Sequence, residues 1–212
     1  MRTDSFLVII PAFNEEKNIG RVLKPLREEN LPVLVVDDGS TDRTAWVASD
    51  ERVLLIVFPR NRGKSAAVKE ALRFNVDKVV LLDADLTGLT RNHALQIKQW
   101  ISTYNCARII LKGGRAATTW SHMISPVLAG QRILPMAVLR KFYESSSVTG
   151  FQLEVALEDF LKKEGIKQEE LVLEGVGQIM KEEKRGFWPG LKARLRMYLD
   201  ILAYKLRGRP TI

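Results

Sequence analysis

Apolar residues fall along this chain in short continuous runs separated by stretches of helical spacing, and that alternation predicts strands and helices in turn. Phe6 to Ile10 reads as a first strand. After it, Ile19, Val22, Leu23 and Leu26 repeat at i, i+3, i+4 and i+7, with Asn14 expected as the N-cap of that helix. Val33 to Val36 predicts a second strand, running into Asp37-Asp38-Gly39-Ser40-Thr41-Asp42, where Ser40 or Thr41 is expected to cap a helix beginning near Asp42. Val53 to Val57 predicts a third strand, followed by a helix through Ala66, Ala67, Ala71 and Leu72. Val79 to Leu82 is the fourth, a helix including Ala94, Ile97, Trp100 and Ile101 comes next, and Arg108 to Leu111 is the fifth. Near-continuous apolar strands alternating with helices imply an α/β fold with a mainly parallel, doubly wound central sheet.

The regularity breaks after Leu111. Lys112-Gly113-Gly114-Arg115 opens a stretch with Trp120, His122, Pro126 and Gly130 that is expected to be a long loop with short helices. Further on, Phe151 to Lys163 reads as helix, Leu171 to Leu173 as a late strand, and a last helix is expected from Pro189. No internal repeat and no low-complexity linker interrupts the chain.

Composition narrows the class. With 212 residues and 46% of them apolar, one substantial core is expected. The single cysteine, Cys106, excludes an internal disulfide and reads as a structural thiol; His93 and His122 alone argue against a Cys/His zinc site. Arg2 is followed by Asp4, and the first apolar run closes at Pro11, which predicts a strand rather than a signal peptide. No apolar run has the length of a membrane span, so a cytoplasmic protein is the expectation. The net charge is +8, and from Lys181 onward nine basic residues face three acids, so most of the excess lies in the tail.

Chemistry gathers where strands end. Val79-Val80-Leu81-Leu82 stops in Asp83-Ala84-Asp85; two carboxylates two positions apart face the same way if the backbone stays extended, and they repel unless a cation lies between them. Hard oxygen ligands favour Mg²⁺ or Mn²⁺, with water and phosphate completing the shell. Pro11-Ala12-Phe13-Asn14-Glu15 and Asp37-Asp38-Gly39-Ser40 follow two other strands, so in a parallel sheet all three segments meet at one edge. The cationic loop Pro59-Arg60-Asn61-Arg62-Gly63-Lys64 can meet a diphosphate. Its glycine spacing is neither the dinucleotide fingerprint nor the Walker type.

Four segments together resemble the family 2 glycosyltransferases, whose nucleotide-diphospho-sugar-binding fold is termed GT-A. They are Ile9-Ile10-Pro11-Ala12-Phe13-Asn14-Glu15-Glu16, Val35-Val36-Asp37-Asp38-Gly39-Ser40-Thr41-Asp42, Asn61-Arg62-Gly63-Lys64 and Asp83-Ala84-Asp85-Leu86. The resemblance implies that Pro11, Ala12, Asn14 and Glu15 line a nucleotide pocket. Asp37 or Asp38 would hydrogen-bond the base, and Lys64 would sit near base or phosphate. Asp83, Ala84 and Asp85 would meet ribose, metal and diphosphate, with Asp85 the sharper ligand for Mg²⁺ or Mn²⁺.

In the second half, Gly130-Gln131-Arg132 resembles the acceptor side of small bacterial members, which implies acceptor contacts for Gln131 and Arg132. Gly150-Phe151-Gln152-Leu153-Glu154 resembles their glycine-aromatic-x-x-glutamate segment and makes Glu154 the first candidate general base, with Glu158 or Asp159 next. The Gln-x-x-Arg-Trp segment of processive synthases is absent, and Thr87-Gly88-Leu89 departs from relatives that make dolichyl-phosphate mannose.

Leu191, Leu195, Tyr198, Leu202 and Leu206 would form one stripe of a basic amphipathic tail helix, suited to an anionic membrane surface. The expected organisation is a GT-A domain over 1–186, divided into a nucleotide-sugar half (1–111) and an acceptor half (112–186), then a tail over 187–212. The expected activity is inverting transfer from a UDP-glucose or GDP-mannose type donor to a polyprenyl or other lipid phosphate at the inner face of the cell membrane, with the protein peripheral there. Two alternatives remain: a soluble glucosyltransferase acting on a small phosphorylated metabolite, and a non-catalytic nucleotide-sugar-binding module on a membrane complex. Nucleic acid is not an expected partner, because no recognised binding motif is present.

Overall fold

The structure, a computed structural model, describes residues 5–113, 130–146 and 153–179. Trp120, His122, Pro126, Gly150-Phe151-Gln152 and the amphipathic tail lie outside the described residues.

Among the described residues, seven strands make the main sheet: β1 (Phe6–Ala12), β2 (Val33–Asp37), β3 (Leu54–Val57), β4 (Lys78–Leu81), β6 (Ala107–Lys112), β7 (Arg132–Pro135) and β8 (Glu169–Glu174), in the order β3-β2-β1-β4-β7-β6-β8. β5 (Leu86–Thr87) and β9 (Gly177–Gln178) pair separately as an antiparallel ribbon. The main sheet is parallel except at β7, which is antiparallel to both neighbours. The mixed but mainly parallel α/β architecture therefore stands as the sequence predicts.

Helices cover both faces because the strands bury both. Val8, Ile10 and Ala12 of β1 point into a core shared with α1 (Ile19–Glu28), α2 (Thr44–Asp50) and α4 (Arg91–Thr103). Leu7 and Ile9 point the other way, into a core shared with α3 (Lys64–Lys69), α5 (Met136–Ser145) and α6 (Leu153–Lys163). This is the period-two alternation of a strand with no solvent face. Lys78 is buried in β4, where its ammonium donates to Ile101 O at 2.8 Å and Tyr104 O at 3.1 Å, satisfying carbonyls at the C-terminal end of α4.

The stretch from Lys112 to Gly130, expected to be loop with short helices, lies almost wholly outside the described residues; beyond it, where the sequence reading assigned no element, the structure has β7 and the ten-residue helix α5. β7 has only Ile133 and Leu134 as aliphatic residues, behind the buried polar pair Gln131 and Arg132, so its apolar run is too short to register as a strand. α5 carries Met136, Leu139 and Phe142 into the core at helical spacing.

The order β2-β1-β4 brings three C-terminal strand ends side by side. Ala12 stands opposite Asp37, Asp38 N donates to Ala12 O at 2.8 Å, and Leu82 N donates to Ile9 O at 3.1 Å. The loops that leave this edge carry the four segments singled out in the sequence.

Candidate active site

The first two loops are tied to each other. Asn14 adopts φ 57, a left-handed conformation that asparagine tolerates better than most residues. Its N–H donates to Ser40 Oγ at 2.9 Å, and its Oδ1 accepts from Thr41 N at 2.8 Å. Glu15 N donates to Thr44 Oγ1 at 2.7 Å, while Glu15 Oε2 accepts from Asn18 Nδ2 at 2.8 Å. Asn14 is therefore not the cap of α1, which starts after Asn18; it braces the second loop. Ser40 and Thr41 likewise do not cap α2. The cap position is Arg43, which makes no side-chain cap bond; Asp42, just before it, accepts from Thr44 N through Oδ1 at 2.9 Å. Burial works against ionisation of Asp42, but hydrogen bonds from Thr44 and Glu16 outweigh it and lower the carboxyl pKa.

Asp37 and Asp38 are buried and hold their own loops. Asp37 Oδ1 accepts from Ser40 N at 2.7 Å. Asp38 accepts from Arg62 N at 2.6 Å and Gly63 N at 2.8 Å, one bond to each oxygen, so it fixes the cationic loop where it enters α3. Each carboxylate oxygen has a second lone pair for a ligand. Arg62 stacks its guanidinium 4.5 Å above the Phe58 ring, and Pro11 and Ala12 sit beside this corner in β1.

Gly39 makes the packing of these loops possible. It has φ +72, and a Cβ there would lie 2.4 Å from Arg60 C and 2.6 Å from Asn61 N. Gly39→Ala is expected to destabilise by at least about 1–2 kcal/mol from the backbone conformation alone. At roughly 2–4 °C per kcal/mol for a chain this long, the thermal midpoint should fall by at least about 2 °C, read by calorimetry.

The chemical centre is Asp83. Its Oδ1 accepts from Lys64 Nζ at 2.6 Å, and its Oδ2 accepts from Gln131 Nε2 at 2.6 Å and Gln178 Nε2 at 2.9 Å. The same Gln178 Nε2 donates to Asp85 Oδ1 at 2.8 Å. Asp83 and Asp85 thus converge, but not by strand alternation: β4 ends at Leu81, the segment turns through the buried Ala84, and the shared amide marks where the carboxylates meet. Gly130 lies against this centre, where a Cβ would come within 2.7 Å of Lys64 Nζ and 3.0 Å of Asp83 Oδ2.

Lys64 also donates to Glu154 Oε1 at 2.7 Å, joining the donor-side carboxylate to the first turn of α6. Burial alone would lower the ammonium pKa, but the charges of Asp83 and Glu154 outweigh it and hold Lys64 well above its ordinary value. Nearby, Tyr143 OH donates to Ser65 O at 2.8 Å, and burial pushes its pKa up to about 12.

Two acceptor-side expectations are corrected. Arg132 is 1% exposed and donates to Glu158 Oε2 at 3.0 Å, so it is a buried structural partner rather than a surface contact. Glu158 is also held by Arg108 at 2.9 Å and by Gln168 at 3.1 Å. Burial alone would raise its pKa, yet those hydrogen bonds and the two guanidinium charges bring it down to about 2. So weak a base does not suit proton abstraction near neutral pH. Asp159 is exposed, five positions beyond Glu154 and hence about 140° around α6 from it. Of the three acids, only Glu154 reaches the centre. Gln131 does reach it, through Asp83.

Gln178 was not singled out in the sequence. It lies on a two-residue strand with no apolar periodicity and comes into place because Leu86, directly after Asp85, pairs with it. Cys106 is buried, and burial pushes its thiol pKa up to about 11, in keeping with a structural role. Among the described residues, no group of three or more His, Cys, Asp or Glu side chains is arranged for metal binding, and no helix is long and apolar enough to cross a membrane. The donor set at Asp83 and Asp85 nonetheless fits a hard divalent ion. Mg²⁺ takes one or two carboxylates with water and phosphate oxygens, and here two carboxylates converge beside Gln131 Oε1, a buried oxygen with no hydrogen-bond partner among the described residues.

Comparison with known proteins agrees with this layout. The chain is 41% identical over 87 residues to an uncharacterised protein of Methanocaldococcus jannaschii, a match covering 39% of this chain and 36% of that protein. It is 38% identical over 103 residues to the 4,4'-diaponeurosporenoate glycosyltransferase of Staphylococcus haemolyticus, covering 44% of this chain and 27% of that one. The chain thus spans about a third or less of the length of these curated relatives. The fold is similar to that of glucosyl-3-phosphoglycerate synthase from Mycobacterium tuberculosis, solved with Mn²⁺, UDP and glucosyl-3-phosphoglycerate. The TM-score is 0.75 at 20% identity, covering 98% of this chain and 81% of that one. The sequence model described as glycosyl transferase family 2 matches residues 7–122, more than half the chain. On that match, the chain belongs to glycosyl transferase family 2.

Proposed function

We propose that the domain spanning 1–186 transfers a sugar from a nucleoside diphosphate sugar to a phosphorylated acceptor, with inversion at the anomeric carbon. The observation that carries this reading is the convergence of Asp83, Asp85, Lys64 and Glu154 at the C-terminal edge of a parallel sheet. In this reading Pro11, Ala12, Asn14 and Glu15 form one wall of the nucleotide pocket. Asp37 and Asp38 face the base from the second loop, and Lys64 neutralises charge between the diphosphate and Glu154. Asp83 and Asp85 would hold Mg²⁺ or Mn²⁺, which when bound supplies Lewis-acid stabilisation of the departing diphosphate. Glu154 lies on the acceptor side, where it takes the proton of a hydroxyl nucleophile; a phosphate nucleophile is already anionic and needs no base.

The acceptor is the finer question. A small phosphorylated metabolite is favoured by the similarity, across 98% of this chain, to a synthase solved with phosphoglyceric acid. A lipid phosphate rests on the sequence of the basic tail. Sugar transfer from UDP-glucose and GDP-mannose with Mn²⁺ should be measured to 3-phosphoglycerate and to a polyprenyl phosphate in vesicles. Product with the soluble acceptor alone supports the first reading, and product with the lipid alone restores the second. No product from any donor would favour a binding module.

A further inference from the structure

We propose that two copies of this chain associate edge to edge through β3, pairing antiparallel about Leu55 so that their main sheets become one continuous sheet. β3 ends the strand order, and among the described residues no strand covers its outer side. Apolar surface concentrates there too. Of the four large hydrophobic side chains that are exposed among the described residues, Leu54 at 50% and Val57 at 55% belong to β3, and Trp46 at 65% belongs to α2, which packs beside it. Natural sheet edges are commonly blunted by charged residues, whereas an apolar edge strand invites another strand. Leu54-Leu55-Ile56-Val57 carries no charge.

The backbone determines how a second copy fits. Phe58 N donates to Asp37 O at 2.8 Å, so Phe58 directs its amide towards β2. Successive residues of a strand alternate in the side to which their N–H and C=O point, so Leu54 and Ile56 also face β2, while Val53, Leu55 and Val57 direct theirs outward. In an antiparallel pair, such residues exchange two bonds with the residue directly opposite. With Leu55 opposite Leu55 of the second copy, Val53 falls opposite Val57, and every outward N–H and C=O of this stretch finds a partner. Centring on Ile56 instead sets Val53 against Pro59, which has no N–H to give. Centring on Leu54 sets Val57 against Glu51, the C-cap of α2, whose φ of -87 and ψ of 7 are not those of a strand.

Faces and charges agree with the Leu55 register. A twofold axis perpendicular to the sheet keeps each face on its own side. Val53 and Leu55 pack against the core shared with α1, α2 and α4, so Val57 lies on that face as well and meets Val53 of the second copy there. Leu54 meets Ile56 on the opposite face, where Ile56 and Phe58 join the other core. Antiparallel order also puts the start of β3 in one copy beside its end in the other. Asp50 precedes the strand and Arg60 follows it; both are exposed, and neither side chain has a polar partner among the described residues. Opposite charges therefore meet at both ends of the pairing, which makes the edge self-complementary, as a twofold interface requires.

The test is sedimentation velocity of the full chain over a concentration series. Wild type is expected to form a dimer that dissociates on dilution. Leu54→Lys and Val57→Lys, both at exposed positions, should each raise the dimer Kd by at least about tenfold, because each sets a charge where an apolar contact was. Circular dichroism checks that the fold is kept. Asp50→Arg and Arg60→Asp should each weaken the dimer by roughly twofold to tenfold, since two symmetric pairs are broken at once, and the double variant should regain the loss. A wild type that stays monomeric up to about 1 mM, or a dimer that both lysine variants leave intact, overturns the proposal. So does a double variant no tighter than either single one, because the two charges then do not face each other across the edge.

Discussion

Asp85→Ala is expected to lower sugar transfer by about a thousandfold or more while leaving the fold intact. Metal stabilisation of a leaving group is worth several kcal/mol, and each 1.36 kcal/mol is about tenfold in rate. The Gln178 amide links Asp85 to Asp83, and removing Asp85 takes one of two carboxylates from the centre. The backbone bond from Ile179 N to Asp85 O is kept by alanine. Initial rates at saturating donor and Mn²⁺, with circular dichroism alongside, check the result. Turnover equal to wild type would remove Asp85 from the proposed metal site.

The second large effect is on stability. Arg132→Met is expected to destabilise by roughly 3–5 kcal/mol, the usual consequence of removing one partner from a buried ion pair, which for a chain of this size is on the order of 10 °C. Glu158 would keep Arg108 and Gln168 but lose the most deeply buried of its charges. The double variant Arg132→Met with Glu158→Leu should recover part of the loss, because an apolar pair leaves no buried charge uncompensated. The same network sets an acid limit. Glu158 is depressed from an ordinary value of 4.5 to about 2, so the native state holds its proton less readily than the unfolded chain. Its contribution is fully present above about pH 4.5, declines as pH falls below that, and is lost once pH passes about 2. Acid unfolding of wild type should therefore show a component in this window that Glu158→Gln lacks.

The site is readable in the sequence wherever function follows from a strand and the loop directly after it. Asp37, Asp38, Asp83 and Asp85 each end an apolar run, and a parallel sheet in the order β2-β1-β4 must bring such ends together. Where a choice depended on which loop brushes which, the sequence reading went astray. Asn14 looks like a helix cap, and it is Thr41, twenty-seven positions away, that makes it a loop brace instead.

α6 shows the same limit within one helix. Glu154 and Glu158 are one turn apart and chemically alike, so spacing cannot rank them. Lys64, ninety residues earlier, takes Glu154 into the active centre, while Arg132 and Arg108 take Glu158 into a buried network. β7 escaped notice because Arg132, and Gln131 just before the strand, find their partners across the fold, in Glu158, Gln168 and Asp83, and an isolated reading finds no reason for them to be buried.

By itself, the sequence determined the α/β class, the first five main-sheet strands, the family resemblance and the Asp83-Ala84-Asp85 centre, since these are encoded in local apolar runs and the turns that close them. Only the tertiary structure decided that Lys64 bridges Asp83 to Glu154, that Arg132 and Glu158 neutralise each other, and that Gln178 reaches both aspartates. Those pairings join residues 19 to 95 positions apart. What selects them is burial, which makes a charge or an amide without a partner costly and so fixes its partner through the packing of the whole sheet rather than through any nearby pattern.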